Sequence, residues 1–201
     1  MQPRVLLVCG TARPDERLER VMDVVQGAVV DGGGLPERLD LHTLALPIMR
    51  YGDAAQDQMP EVQRVRRTAA EADAFVLGTP EYHGTMSGAL KNWFDFLYAE
   101  LAGKLAGVVA TTGGGTGDLS ITAVKRTFAW CHGFTLPFHA AADRSTFEDG
   151  ELTDPKVRER LQRIGHDVVR YARVLRPAWE EAREDTSARG GVAGLHPKLK
   201  P

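Results

Sequence analysis

The 201-residue chain has only two cysteines, Cys9 and Cys131, too few for a disulfide framework or a cysteine-rich zinc site. A reducing cytoplasm is the simplest setting for such a composition. No apolar run is long enough to cross a membrane, and the N-terminus lacks a charged segment followed by an apolar signal core. We therefore expect a cytoplasmic protein that neither enters nor crosses a membrane.

Neither sign of charge dominates, because the chain has 25 Lys and Arg and 27 Asp and Glu, which gives a formal net charge of -2. This balance argues against a nucleic-acid partner held by bulk charge. The six histidines lack the i,i+4 spacing of a zinc-binding helix, so no metal is predicted. Cys131 precedes His132, but sequence neighbours do not share a helix face, and Cys9 falls in a buried strand. A thiol nucleophile is not expected.

Short apolar runs alternate with amphipathic segments along most of the chain. Strands are predicted at residues 4–9, 37–41, 74–79, 107–112 and 134–139. Helices are predicted at about residues 16–30, 60–71, 88–100, 119–131 and 154–174, the last with Thr153 as its N-cap. This alternation indicates βαβ units, and hence an α/β fold with a five-stranded parallel sheet in a three-layer sandwich.

Two segments do not follow this pattern. Residues 42–59 are irregular and polar, and their apolar stretch 46–49 either faces a ligand or partner or packs locally under the loop, the latter being favoured. Residues 177–201 are charged and glycine-rich without apolar periodicity. We expect one domain over residues 1–176, followed by a tail that is mobile or forms an arm onto a partner.

Three loops follow the first, third and fourth predicted strands, where open α/β sheets bind ligands. The first, residues 10–14, offers the Thr11 hydroxyl and the Arg13 guanidinium, which suits phosphate, although a plain turn has similar composition. The third, residues 113–117, is glycine-rich, which allows a ligand edge to approach the backbone closely. Its alternative is a flexible turn before a helix.

The second loop carries the most specific signal. Residues 78–93 read Gly-Thr-Pro-Glu-Tyr-His-Gly-Thr-Met-Ser-Gly-Ala-Leu-Lys-Asn-Trp. This stretch resembles the G-[ST]-P-E-Y-[NH]-[GS]-[ST]-x-[PS]-G-x-L-K-N signature of the NADPH-dependent FMN reductases, and residues 10–14 resemble the family's G-[ST]-x-R opening. So long a gapped match is far more specific than a lone GxGxxG.

The resemblance implies a flavodoxin-like fold with strand order 2-1-3-4-5. It also implies an enzyme, an oxidoreductase with FMN and NADPH or NADH. Hydride would pass from nicotinamide to flavin N5, and electrons would then pass to a quinone, azo compound, flavin or similar small acceptor. No catalytic side chain is required. The family further implies homodimers or homotetramers in which the partner subunit closes the flavin pocket.

Carried onto this chain, the resemblance implies ten cofactor-binding residues: Thr11, Arg13, Arg17, Pro80, Glu81, Tyr82, His83, Gly113, Gly114 and Gly115. His83 stands where the family often has Asn. It either bonds flavin or substrate or is a tolerated polar residue, and the second interpretation is favoured. The helix after this loop carries Trp93, Phe94, Phe96, Leu97 and Tyr98, which fits either an oligomer interface or core packing.

The match is weakest just after the first loop. Glu16, Arg17 and Leu18 replace the family's usual small hydroxyl or amide residues. A carboxylate repels a phosphate dianion, so weaker FMN retention is predicted unless Arg17 or Arg20 compensates. Two alternatives remain: a flavin-binding electron carrier or flavin-supplying partner without substantial turnover of its own, and a specialised biosynthetic reductase with a narrow substrate.

Overall fold

The protein was analysed as a computed structural model that describes residues 2–184. The main sheet comprises β1 (Arg4–Cys9), β2 (Leu35–Asp40), β3 (Ala74–Pro80), β4 (Leu105–Thr111), β5 (Phe134–Thr135) and β6 (Ala140–Ala142). The helices are α1 (Glu16–Asp31), α2 (Ala54–Asp57), α3 (Pro60–Glu71), α4 (Gly88–Asp95), α5 (Asp118–Trp130) and α6 (Pro155–Glu184). A small hairpin of β7 (Phe147–Glu148) and β8 (Glu151–Leu152) precedes α6.

The strand order is β2-β1-β3-β4-β5 and every pairing in the main sheet is parallel, which confirms the flavodoxin-like prediction. Strands β3 and β4 are buried along their whole length, as the continuous apolar runs indicated. Strand β2 alternates between exposed and covered residues, as expected at the edge of the sheet.

Helices cover both faces of the sheet and divide the core in two. One cluster packs α1 and α6 against one face, and the other packs α3, α4 and α5 against the opposite face. In the second cluster, Phe75 contacts the edges of Trp93 and Phe128 with ring centroids 6.1 and 5.6 Å away. The three-layer arrangement leaves only the ends of the strands free to build a site.

Helix α4 ends at Asp95, so its predicted extension to residue 100 is wrong. Trp93, Phe94, Phe96 and Leu97 are at most 5% exposed and belong to the protein's own core, whereas Tyr98 is 36% exposed. At its end the N–H of Phe96 donates to Trp93 O (3.3 Å) and that of Leu97 to Phe94 O (3.0 Å), so the last turn tightens to i,i+3 hydrogen bonds. Core packing therefore explains most of this aromatic stretch.

The fifth strand was predicted at residues 134–139, but only β5 (Phe134–Thr135) lies within those bounds, and β6 (Ala140–Ala142) follows them; both pair with β4. Pro137 has no N–H to donate to the ladder. The guanidinium groups of Arg160 and Arg163 lie over the neighbouring Phe138 ring, 4.5 and 4.6 Å from its centroid, so this residue packs against α6 between the two strands.

Helix α6 begins differently and continues further than predicted. The Asp154 carboxylate, and not Thr153, caps it by accepting from the N–H groups of Lys156 (2.8 Å) and Val157 (3.1 Å). The helix runs to Glu184, and Trp179 is 3% exposed. Residues 185–201, most of the predicted tail, lie outside the described residues. Of the helices in the described part of the chain, none is long and apolar enough to cross a bilayer.

Candidate functional site

The loops after β1, β3 and β4 lie side by side at the carboxyl edge of the sheet, because these three strands are neighbours. Three hydrogen bonds join them into one rim: Gly10 N–H to Gly78 O (2.8 Å), Glu81 N–H to Thr111 O (2.8 Å), and Arg17 Nη1 to Thr112 O (2.9 Å). Nine of the ten predicted binding residues lie at this rim, and Arg17 reaches it from the first turn of α1.

Gly10 and Gly78 bring the backbones of the first two loops together. A Cβ on Gly10 would lie 2.6 Å from Gly78 O, and a Cβ on Gly78 would lie 2.7 Å from Met22 Sδ. The buried Ser87 then joins Gly10 to α4: its hydroxyl donates to Gly10 O and accepts from the N–H of Leu90 (3.1 Å). Sequence reasoning missed this role, although a serine before a helix is a recognised N-cap signal.

The first loop is folded upon itself. Thr11 is 2% exposed, and its hydroxyl donates to Arg13 O at 3.0 Å. The Asp15 carboxylate caps α1 by accepting from the N–H of Leu18 at 3.2 Å. Leu18 itself is buried in the core, which explains why this position is apolar. Arg13 and Glu16 remain exposed.

The second loop is a tight hairpin turn over residues 82–85. Tyr82 and Thr85 exchange two backbone hydrogen bonds of 3.1 Å, and the residues between them have positive φ, +51° at His83 and +72° at Gly84. A two-residue turn with two positive φ angles is type I′, and His and Asn adopt such backbones more readily than most residues. The backbone therefore accounts for histidine at a position where the family often has asparagine.

Pro80 and Glu81 connect this turn to the rest of the rim. Pro80 is the last residue of β3. The Glu81 carboxylate accepts from the N–H of Ser120 at 3.0 Å, at the start of α5. Glu81 thus fixes the second loop to the helix that follows the third.

The third loop exposes its backbone. Gly113 and Gly114 are exposed, and a Cβ on either would meet no atom within 4 Å. Gly115 and Gly117 instead require glycine for their conformation, with φ of +98° and +71°. The Thr112 hydroxyl donates to Gly115 O at 3.1 Å and closes the turn.

A side-chain network beside the third loop was not predicted. The Thr116 hydroxyl donates to Asp118 Oδ2 at 2.7 Å, and Asp118 Oδ1 lies 3.4 Å from His139 Nε2. Lys125 Nζ lies 3.4 Å from His139 Nδ1. The Thr116 hydrogen bond and then His139 lower the pKa of Asp118. Because an ammonium group only donates, Lys125 favours the tautomer with hydrogen on Nε2, facing Asp118.

Two buried amides hold the predicted surface excursion in place. Asn92 accepts from the N–H of Met49 (2.9 Å) and donates to Pro47 O (2.8 Å). Gln56 donates to Ile48 O (2.9 Å) and accepts from the N–H of residue 50 (2.8 Å). Together the two side chains form hydrogen bonds with the backbone of residues 47–50, as a neighbouring strand would. Ile48 is left 77% exposed while Leu46 and Met49 pack on the core, so local packing accounts for most of this stretch.

An apolar cavity of about 220 Å³ lies between this excursion and α4, beside the first loop. Its lining consists of Ala12, Leu41, His42, Leu44, Leu46, Ile48, Gly88, Ala89 and Asn92. His42 Nδ1 is buried there without a hydrogen-bond partner among residues 2–184. The cavity extends the candidate site with space for a small apolar group.

Neither cysteine is a reactive thiol. Burial raises the pKa of the Cys9 thiol, and burial also raises that of Cys131, to about 11. Both therefore remain protonated near neutral pH, whereas the thiolate is the nucleophile. Within the described part of the chain, no group of three or more His, Cys, Asp or Glu side chains is placed to hold a metal ion.

The rim is suited to one end of a flavin better than to the other. Open backbone at Gly113 and Gly114, next to a rigid turn, suits the polar edge of a flat ring. The first loop offers the exposed Arg13 but also places Asp15 and Glu16 at the start of α1. The ring end of FMN fits this rim, whereas its phosphate end would face carboxylates.

The family model described as NADPH-dependent FMN reductase matches residues 3–146. An NADPH azoreductase of Bacillus sp. (strain OY1-2) is 31% identical over 150 residues, covering 74% of this chain and 81% of that protein. An NAD(P)H-dependent FAD/FMN reductase of Geobacillus thermodenitrificans (strain NG80-2) is 36% identical over 112 residues, 54% of this chain and 60% of that protein. The structure of FerB, a flavoenzyme NAD(P)H:(acceptor) oxidoreductase from Paracoccus denitrificans, superimposes with a TM-score of 0.72 at 23% identity. The superposition covers 86% of this chain and 98% of FerB.

Proposed function

This chain belongs to the NADPH-dependent FMN reductase family, and from that premise we propose that it passes electrons from NAD(P)H to a small, flat acceptor at the rim of three loops. The chain is an NAD(P)H-dependent oxidoreductase with FMN and NAD(P)H as its cofactors. The acceptor is an azo compound, a quinone or a free flavin. The names of the relatives, azoreductase and FAD/FMN reductase, support the azo compound and the flavin.

The proposal rests mainly on one observation: the loops after β1, β3 and β4 meet at the carboxyl edge of the sheet. Residues 80–83 and 113–115 would hold the flavin ring, and Thr11, Arg13 and Arg17 would face its phosphate end. When bound, the flavin supplies the redox chemistry, accepting a hydride and passing electrons on. The chain contributes position, because the turn at residues 82–85 and the open glycines would orient the ring.

We propose a homodimer or homotetramer that uses an exposed face of α5. Leu119 and Trp130 are 65% and 79% exposed on this helix, and Leu119 lies against the turn at Gly84. A partner on this face would reach the site. We expect analytical ultracentrifugation to show an assembly that Trp130→Arg weakens, and a monomeric wild-type protein would reject it.

We place the protein in the cytoplasm, where a reducing environment keeps Cys9 and Cys131 as thiols. Its partners there are small molecules, and the near-neutral charge gives no support for a nucleic-acid partner. Immunodetection after fractionation of the source cells would test the location, and recovery outside the cytoplasmic fraction would reject it.

The test of the function is NADPH and NADH oxidation with FMN present and an azo compound, a quinone or excess flavin as acceptor. Gly114→Leu would place a side chain into the open rim without a steric clash in the fold, and we expect it to lower kcat/KM at least about tenfold. Gly27→Leu is the matched control, because Gly27 is an exposed helical glycine that also has no neighbour within 4 Å of an added Cβ. Absence of turnover with every acceptor, despite bound flavin, would contradict the proposal.

A further inference from the structure

We propose that this site recognises a flavin by its ring end and gains little from the 5′-phosphate, so that riboflavin, FMN and FAD bind with similar affinity and exchange with solution. The inference rests on the proposed function and specifies its substrate class: flavins irrespective of phosphorylation. Its basis is the arrangement of charges and hydrogen bonds around the first loop.

The start of α1 is already occupied by an anionic group of the chain. A helix N-terminus favours an anion because its first N–H groups lack partners. Here the Asp15 carboxylate accepts from the N–H of Leu18 at 3.2 Å, so one of these N–H groups already has an anionic partner within the chain. A phosphate at the start of α1 would lie beside that carboxylate.

A second carboxylate adds to the repulsion that a phosphate would meet at the first loop. Glu16 is the first residue of α1 and is exposed at its start. A phosphate dianion at the first loop would approach both Asp15 and Glu16. Like charges at such short range repel, and partial exposure to water weakens this repulsion without reversing it.

The groups that would compensate are engaged elsewhere. The Arg17 guanidinium donates to Thr112 O at 2.9 Å, and the Thr11 hydroxyl donates to Arg13 O at 3.0 Å. Hydrogen bonds from Ser145 lower the pKa of Asp143, and the charge of Arg17 adds to this effect, so Arg17 also has a carboxylate nearby. Within residues 10–14 the exposed Arg13 is the one cation, and the two carboxylates of Asp15 and Glu16 follow it directly.

The next arginine along α1 is also engaged, since Arg20 pairs with Glu151 at 3.0 Å. The ring end carries no such conflict, because Gly113 and Gly114 present open backbone and the turn at 82–85 is held by its own hydrogen bonds. Recognition at the ring end is common to riboflavin, FMN and FAD. Selectivity among them would have to come from the phosphate end, where the chain supplies little.

Fluorescence titration of the full chain with riboflavin, FMN and FAD, at matched pH and ionic strength, tests the inference without using activity. We expect the Kd values of riboflavin and FMN to agree within about threefold. A built phosphate site with two charge-assisted hydrogen bonds would instead favour FMN by about a hundredfold or more. A preference of that size would overturn the inference while leaving the proposed function intact.

The double variant Asp15→Asn with Glu16→Gln removes both carboxylates, and asparagine still caps a helix. We expect the double variant to lower the Kd of FMN by about tenfold relative to the Kd of riboflavin. The matched control, Glu37→Gln with Glu71→Gln, removes two carboxylates around Arg4 at the opposite end of β1 and should leave the ratio unchanged. An unchanged ratio in the Asp15 and Glu16 variant would overturn the inference, and failure of all three flavins to bind wild type would reject the proposed function with it.

Discussion

The backbone conformation at position 83 explains why a histidine occurs there. Its φ of +51° lies in the left-handed region, which histidine and asparagine tolerate and β-branched residues avoid. We expect His83→Asn to change the free energy of unfolding by less than about 0.5 kcal/mol, and His83→Val to lower it by about 1–2 kcal/mol. Urea denaturation of the two variants measures the difference. If asparagine were as damaging as valine, the imidazole itself would be required.

The glycines of the rim show how much of the site the sequence predicts. Three loops after neighbouring strands, the third of them glycine-rich, indicated a ligand site. The pattern does not distinguish Gly10, which has no room for a Cβ, from Gly114, which is open to solvent. Similarly, the sequence predicts that Arg17 helps to hold phosphate, but it does not predict that the Arg17 guanidinium donates to Thr112 O. These differences depend on neighbours far away in the sequence.

Ser87 couples two elements, the end of β1 and the start of α4. Replacing it by alanine removes the cap at Leu90 and leaves Gly10 O without its buried donor. We expect Ser87→Ala to lower the free energy of unfolding by about 1–3 kcal/mol and to weaken flavin binding, because the first loop loses its support. Ser145→Ala, at an exposed serine outside the three loops, is the control for chemical denaturation and flavin titration. Equal effects of the two changes would show that Ser87 has no special role.

Element positions were predictable where local signals were strong. Helix α3 was predicted at its observed bounds, because Pro60 marks its first turn and apolar residues recur on one face. Helix α4 was predicted too long, because apolar residues continue past Asp95 to Leu97 and the sequence carries no stop signal where the helix ends. The later end of α6 depends on Trp179, which lies over Gly103, a contact that local periodicity does not contain.

Across the whole molecule, Lys104 links stability to pH. It is 3% exposed, and its ammonium donates to Ala69 O and Ala70 O at 2.7 Å, at the last turn of α3. Burial, and secondly the charge of Arg176, lowers its pKa to about 7. The unfolded chain, with a pKa of about 10.4, therefore holds more protons than the folded chain between these values, and the contribution of Lys104 to stability rises with pH.

We expect the free energy of unfolding of the wild type minus that of Lys104→Met to increase by up to about 1.4 kcal/mol per pH unit above pH 7. Urea denaturation at several pH values between about 6 and 9 measures this difference, and the subtraction removes other titrating groups. A difference that stays constant or falls with pH would show that folding does not lower the pKa of Lys104.

The central claim is that the rim of the three loops binds a flavin that NAD(P)H reduces. The most direct measurement is the visible absorption spectrum of the protein titrated with FMN, followed by anaerobic addition of NADPH. A flavin spectrum perturbed to saturation at one flavin per chain, and bleached by NADPH faster than with Gly114→Leu, is the predicted result. An unperturbed spectrum, or a bound flavin that NADPH does not bleach, would contradict the claim.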